Sequence, residues 1–355
     1  MDIHQFSTSL TYGDAISDEI LEIQKALRSL GHRSEIFIRY FDPKTAGLAR
    51  DFRTYRELSS PDNVVIFHFS IGSPVSKMIF RIPDRKIMIY HNITPHGFFL
   101  DYHRILTREC YKGRLEIKTF VGKVDLALGD SEFNREELER AGYAPTGVLP
   151  ILLDFSRFDI PGDPVVLDMM SEKKTTFLFV GRLIPNKRFE DIIRTFHFYK
   201  TMFNPRARLV LAGDYRGLER YHAALRDLVE RLALSDVHFT GHVEFPELVA
   251  YYRSADVYLS MSEHEGFGVP LLEAFHLDLP VVAFAAGAVE ETMNGGGVLL
   301  RSKDFVKTAA LLDEIVRNAE LRNTLLKGQR AALEKYRTEN VARILMDHVE
   351  KVAGR

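Results

Sequence analysis

Short runs of β-branched and aromatic residues alternate with longer stretches of helical period along most of the chain. In the first half the strand candidates are 3–6, 35–40, 64–69, 86–90, 124–128 and 146–149. In the second half they are 176–180, 208–212, 237–240, 257–261, 281–284 and 298–300. Continuous apolar strands separated by helical segments are the pattern of a parallel sheet carrying crossover helices on both faces. The helical kind is exemplified by 16–30, an amphipathic stretch entered at Asp14 or Ser17 and closed by Gly31. From 305 to 336 the period is helical without interruption, and a last helix is predicted over 339–352. The alternation breaks between Pro150 and Pro164, where Pro161 and Gly162 also fall. That break reads as a linker between two Rossmann-like halves.

The richest local run is Ser262-Glu-His-Glu-Gly-Phe-Gly-Val-Pro-Leu-Leu-Glu-Ala-Phe275. It follows the strand candidate 257–261 and reads as a strand end, a Gly-rich turn and a helix opening at Pro270, where a missing N–H costs nothing. Gly266 and Gly268 let the backbone come close to a ligand, and amides at a helix start suit an anion or a cluster of sugar hydroxyls. Glu265 in the turn and Glu273 one turn into the helix reach two parts of one extended ligand. The alternative for a bare pair of Glu at this spacing is a solvated helix face.

A second run, Phe177-Leu-Phe-Val-Gly-Arg-Leu-Ile-Pro-Asn-Lys-Arg-Phe189, ends a buried strand at Gly181 and places Arg182 and Lys187 in the loop before the next helix. Ligands of open parallel sheets bind at such strand ends. The planar fork of an Arg and the point charge of a Lys together suit a diphosphate; Arg188 reads as a solvated neighbour. In the first half, Ile87-Met-Ile-Tyr-His-Asn-Ile-Thr-Pro-His96 delivers His91 at a strand end, with Asn92, Thr94 and Pro95 behind it. His96 fits a loop or a surface position equally well. Ser131 after Asp130 reads as a helix N-cap. Gly13 either supplies a backbone N–H at the start of the helix 16–30 or makes a plain turn.

These motifs resemble those of the retaining GT-B glycosyltransferases of family 4 (group 1), and more closely the bacterial polysaccharide and O-antigen mannosyltransferases. The resemblance covers essentially the whole chain and is most specific in the second half. It implies an α/β GT-B fold: two Rossmann-like domains facing across a cleft, residues 1–153 on the acceptor side and 165–337 binding a nucleotide sugar, with 338–355 crossing back onto the first. It implies that Arg182 and Lys187 bind the donor diphosphate, that Glu265 and His91 contact the donor sugar (His91 near its C6 hydroxyl), and that Glu273 holds the ribose. Gly13, Val243, Gly266, Phe267, Gly268 and Val269 would complete the donor site, with the base read through the backbone beside Val243. His242 reads as a packed loop histidine, and Glu290 in the Gly287–Glu291 loop as structural. Where many relatives have paired glycines after the first strand, this chain has Gly13 alone, in Tyr-Gly-Asp-Ala-Ile-Ser. The implied reaction is metal-independent transfer of a hexose to a hydroxyl with retained configuration. GDP-mannose leads as the donor, ahead of dTDP-rhamnose and UDP-hexoses, and the acceptor is a saccharide or lipid-linked saccharide. No cofactor or obligatory metal is expected, because the two cations answer the charge of the leaving diphosphate.

Composition narrows the setting. At 355 residues the length suggests two domains. A formal net charge of −2 gives no case for nucleic acid. A single cysteine, Cys110, excludes an internal disulfide framework and fits a reducing compartment. The opening Ile3-His-Gln-Phe6 lacks the pattern of a signal peptide, and the longest apolar stretch, 280–289, is too short to span a bilayer. The expectation is a soluble cytoplasmic protein. From Lys77 to Lys123 ten Lys or Arg face four acids, with Phe98, Phe99, Tyr102, Tyr111, Leu115 and Phe120 interleaved. That stretch is either a contact for an anionic membrane surface, making the protein peripheral to the membrane, or a helix with a solvated basic face.

Three rival functions remain. A GT-B sugar phosphorylase or nucleotide-sugar epimerase would require inorganic phosphate or would turn over without an acceptor. A non-catalytic sugar-binding subunit would tolerate loss of Glu265. A dinucleotide-dependent dehydrogenase should carry a G-x-G-x-x-G after its first strand, and none is present here.

Overall fold

Each strand predicted from the apolar runs forms, most of them within a residue or two of the predicted ends. The computed structural model describes residues 1–354. The strands of the first half are β1 (Ile3–Phe6), β2 (Ser9–Leu10), β3 (Ile36–Ile38), β4 (Tyr40–Phe41), β5 (Arg50–Asp51), β6 (Val64–Phe69), β7 (Arg85–Tyr90), β8 (Leu126–Gly129) and β9 (Thr146–Val148). Those of the second are β10 (Thr175–Val180), β11 (Ala207–Ala212), β12 (Val237–Gly241), β13 (Val257–Ser260), β14 (Val281–Phe284) and β15 (Val298–Leu300). The strands β2, β4 and β5 were not predicted. At two residues each they carry no period, and β4 lies exposed.

The chain divides into two units. One comprises Met1–His96, Arg108–Asp154 and the segment 335–354; the other comprises Gly97–Thr107 and Phe155–Glu334. The first unit holds a parallel sheet in the order β5-β3-β1-β6-β7-β8-β9, with β2 and β4 as a separate pair. The second holds a parallel sheet in the order β12-β11-β10-β13-β14-β15. In each the strand order reverses once, between β1 and β6 and between β10 and β13. The loops leaving those strand ends are where a doubly wound sheet opens a crevice.

Burial explains the all-apolar reading of the strands: β1, β6 and β11 have no exposed position. The helix Ala15–Ser29 begins where Asp14 accepts from the Ser17 amide, 3.1 Å away, so Asp14 is the N-cap of the two candidates. The last helix, Thr338–Ala353, belongs to the first unit. Its Val341, Leu345 and Val349 join Ile3, Val64, Ile87 and Leu126 in one core.

Two expectations change. The helical stretch 305–336 is two helices, Phe305–Arg317 and Ala319–Leu333, followed by a 3-10 turn. Asn318 leaves the helical conformation between them, and its side chain accepts from the Leu321 amide at 3.0 Å, which starts the second helix. The linker 150–164 is structured from Phe155 onward and packs within the second unit, where Phe158 is buried against Phe245. Among the described residues no helix is long and apolar enough to cross a membrane.

Candidate active site

In the second unit the loops leaving β10, β13 and β14 are stitched together. The Asn186 side-chain amide donates to the His264 carbonyl at 3.0 Å, and the Glu263 amide donates to the Asn186 carbonyl at 2.8 Å. From the other side the Ala288 amide donates to the Glu265 carbonyl at 3.0 Å, and the Thr292 hydroxyl to the Phe267 carbonyl at 2.7 Å. Gly287 has a φ of +57°, and a Cβ there would run into the Glu265 carbonyl oxygen, so only glycine permits this approach.

The stitching brings Lys187 onto Glu265. Lys187 Nζ lies 2.7 Å from Oε1 and 2.5 Å from Oε2, with side chains 18% and 12% exposed. Thus the cation read as a phosphate grip and the carboxylate read as a sugar contact, 78 positions apart in sequence, neutralise one another at the switch point of this sheet. Arg182, just past β10, is exposed, and its side chain has no hydrogen bond or ion pair among the described residues. Its charge helps hold Asp214 below the usual carboxylate range, behind the larger effect of Arg216.

The helix Val269–His276 starts one residue before the expected Pro270. Gly268, at φ +102°, is its N-cap, and no side chain caps it; Pro270 has no N–H and the Leu271 amide donates to the Gly268 carbonyl at 3.0 Å, so the Val269 amide is the one the first turn can offer a ligand. Phe267 and Val269 are buried, and the Phe267 carbonyl is held by the Thr292 hydroxyl. Glu273 accepts a hydrogen bond from the buried Tyr252 hydroxyl at 2.7 Å. Burial, together with the neighbouring Glu273, holds the Tyr252 hydroxyl well above its ordinary range and keeps it a donor. Val243 is half-buried in the loop after β12, where Gly241 lies against the Tyr215 ring and Tyr215 stacks on His222 at 4.1 Å.

Several side chains differ from their sequence reading. Arg188 is not a solvated neighbour: it is half-buried between Glu190 and Glu263, at 3.1 and 3.3 Å. Lys303 adds contacts to Asp191 and Glu263 at 2.8 and 2.9 Å, which anchors the base of the Glu265 loop. His242 is exposed rather than packed, and Glu290 pairs with Arg301 on the surface.

In the first unit Gly13, at φ +77°, is exposed in the loop after β1, next to the Asp14 cap. His91 follows β7 directly, but its side chain is only 1% exposed. Its Nε2 lies 2.9 Å from His68 Nδ1, and its Nδ1 lies 3.2 Å from Asp130 and 3.6 Å from Glu19. Both ring nitrogens are therefore engaged within the unit. Glu19, His68 and His91 place possible ligand atoms within 4.8 Å of one another, yet both nitrogens of each imidazole already meet a hydrogen-bond partner. Ser131 caps the helix Glu132–Ala141 as expected, accepting from the Asn134 amide at 3.2 Å.

Sequence reading missed Asn186, Tyr252, Gln5, Glu19 and His68. The last three carried a signal: polar residues inside strands or on a helix face with otherwise apolar patterning must find partners when buried.

Residues 170–331 match the family model "Glycosyl transferases group 1". The match covers just under half of the chain. The matched stretch thus contains both Lys187 and Glu265. Among curated proteins, the chain is 25% identical over 222 residues to the O-antigen chain mannosyltransferase B of Escherichia coli, spanning 61% of this chain and 58% of that one. It is 31% identical over 179 residues to the D-inositol 3-phosphate glycosyltransferase of Stackebrandtia nassauensis, spanning 48% and 38%. The matches thus span about half the length of these relatives. In fold the likeness extends further. The structure of Anabaena Alr3699/HepE in complex with UDP and glucose superposes with a TM-score of 0.76 at 17% identity, covering 99% of this chain and 100% of that one. WaaG, a glycosyltransferase involved in lipopolysaccharide biosynthesis, superposes at 0.70 and 15% identity, covering 98% and 99%. The chain therefore has the GT-B fold.

Proposed function

We propose that the chain is a glycosyltransferase that moves a hexose from a nucleotide diphosphate sugar to a hydroxyl of a saccharide or lipid-linked saccharide, with retention and without a required metal. The observation that carries this reading is the convergence of Lys187 and Glu265 from the two loops flanking the β10/β13 switch point. An arriving diphosphate takes Lys187 from Glu265, and the freed carboxylate turns to the sugar hydroxyls. Arg182, exposed and without an ion-pair partner among the described residues, adds a second cation, and the uncapped start of Val269–His276 adds the Val269 amide. Cations and amides placed where negative charge grows on a departing diphosphate lower the barrier without reorganisation at the moment of reaction. Glu273, held by Tyr252, orients the ribose.

Mannose from GDP-mannose is the favoured donor, supported by the likeness to an O-antigen chain mannosyltransferase. UDP-glucose, present in a crystal structure of the similar Anabaena protein, is the next to try. A peripheral membrane position is part of the proposal. In the first unit the helical face bearing Arg108, Tyr111, Lys112 and Leu115 leaves both apolar side chains about half exposed, at 50% for Tyr111 and 52% for Leu115. Calorimetric titration with GDP, UDP, dTDP and ADP tests the donor half. One nucleotide should bind, and Lys187→Ala should weaken it; no binding of any nucleotide overturns the reading.

A further inference from the structure

The buried polar chain in the first unit is directional, and its direction sets a charge. At one end the Gln5 side-chain amide donates to the Ile20 carbonyl at 2.9 Å. That contact orients the amide, so Gln5 Oε1 is the atom facing His68 Nε2, also at 2.9 Å. An amide oxygen only accepts, so His68 Nε2 carries a hydrogen. At the other end His91 Nδ1 faces the Asp130 carboxylate at 3.2 Å and carries a hydrogen for the same reason. Between the rings, His68 Nδ1 and His91 Nε2 are 2.9 Å apart with the ring planes 1° from parallel, and one of them must also be protonated for that contact to be a bond. Two imidazoles then hold three N–H hydrogens, one more than two neutral rings possess.

The positive charge belongs on His91. Its neighbours are Asp130 beyond β8, Glu19 on the helix Ala15–Ser29 at 3.6 Å, and Asp14 at the start of that helix, whereas His68 on β6 meets only Gln5 on β1 and His91 itself. Burial and the His91 charge together push the His68 ring well below its ordinary range. His91 moves the other way: burial would lower it, but Asp130, then Glu19 and Asp14, raise it to about 9.

We propose that Gln5 and His68 are positioning residues that hold His91 as a doubly protonated, orientationally locked imidazolium at neutral pH, giving the first unit a permanent buried cation at the end of β7. The inference goes beyond the proposed function and does not need His91 to touch a ligand, since its side chain is 1% exposed and both ring nitrogens are engaged. The charge state itself follows from the hydrogen bonds alone. Gln5 never touches His91. Its oxygen acts by fixing the His68 tautomer, which leaves His91 Nε2 no choice but to donate.

The test is ring-nitrogen NMR on protein labelled with 15N-histidine, with His91→Gln used to assign the signal. In the wild type at pH 7.5 both His91 nitrogens should show the shifts of protonated imidazolium. In Gln5→Leu the His68 ring is free to turn its tautomer over, and the His91 titration midpoint should fall by about one pH unit or more. Gln5→Glu, which keeps an acceptor, should restore it. A neutral His91 tautomer in the wild type at pH 7.5 overturns the proposal. So does an unchanged midpoint in a folded Gln5→Leu protein, or a bound zinc ion on His68 and His91 found by elemental analysis. Failure of sugar transfer with the imidazolium signal intact would count against the proposed function and leave this inference standing.

Discussion

Lys187 Nζ sits 2.7 and 2.5 Å from the two carboxylate oxygens of Glu265, closing the end of the second unit's sheet with an internal ion pair. Without a ligand, the residue suited to a phosphate is occupied by the residue suited to a sugar. Any anionic ligand must compete with Glu265 for Lys187, and the two substitutions should therefore have opposite effects on binding. Glu265→Gln should tighten binding of a nucleoside diphosphate by roughly 1 kcal/mol, about fivefold, while sugar transfer is lost. Lys187→Ala should lose both. Calorimetry on the two variants is the measurement, and equal weakening by both would contradict the competition.

Tyr252 holds Glu273 by a buried hydrogen bond. A hydrogen bond to a charged group contributes about 1.5–3 kcal/mol. Tyr252→Phe should therefore raise the donor KM roughly tenfold or more while leaving kcat nearly unchanged, because ribose contacts act equally in the ground and transition states. Steady-state kinetics separates the two parameters, and a fall in kcat at constant KM would place Glu273 at the reacting centre instead.

Gly287 lies against the Glu265 carbonyl at φ +57°. Gly287→Ala should cost about 1–3 kcal/mol of stability. It should reduce transfer beyond what that loss explains, because the displaced backbone carries Glu265. Denaturant unfolding and activity at a temperature where the variant stays folded measure the two effects.

Glu19 and His91 make stability fall as pH rises. Burial, against the pull of His91 and with Asp130 adding to it, pushes the Glu19 carboxyl from 4.5 up to about 8. The carboxyls around His91 overcome its burial and move it from 6.5 up to about 9. In both cases the folded protein holds a proton that the unfolded chain releases at lower pH. Stability is thus full below the unfolded values and is lost towards the folded ones, most steeply between 6.5 and 8. With two protons involved, a slope of about 2–3 kcal/mol per pH unit is expected there. Glu19→Gln should flatten it. Urea midpoints across pH 6 to 9 check this, and a flat or rising profile would contradict it.

The exposed face carrying Arg108, Tyr111, Lys112 and Leu115 should bind vesicles rich in anionic phospholipid and release them at high salt. Arg108→Glu with Lys112→Glu should abolish co-sedimentation. Equal binding to neutral vesicles would argue for a different contact.

How much of this was legible in the chain depends on how local the cause is. The strands were readable because parallel strands buried on both faces are continuous apolar runs, as in β6 and β11. The pairs β2 and β4 were not, because two residues have no period. The break at Asn318 was hidden because helical period runs straight through it, and only a side-chain cap reveals the second start. In the candidate site, the loop residues Lys187 and Glu265 announced themselves by type and spacing. Their mutual ion pair did not, since it joins loops from different strands. The same holds for Arg188, read as solvated because nothing nearby in sequence shows that Glu263 reaches it. His91 was picked out by its strand end, but its partners Glu19, His68 and Asp130 arrive from three other elements, with Gln5 behind His68 from a fourth.

The most direct test of the account is nucleotide release from GDP-, UDP-, dTDP- and ADP-sugars by the wild type, Glu265→Ala and Lys187→Ala. The account predicts slow hydrolysis of one donor by the wild type, GDP-mannose first, and its loss in both variants. No turnover of any donor, or turnover that survives both substitutions, would contradict the assignment of Lys187 and Glu265 to a sugar-transfer site.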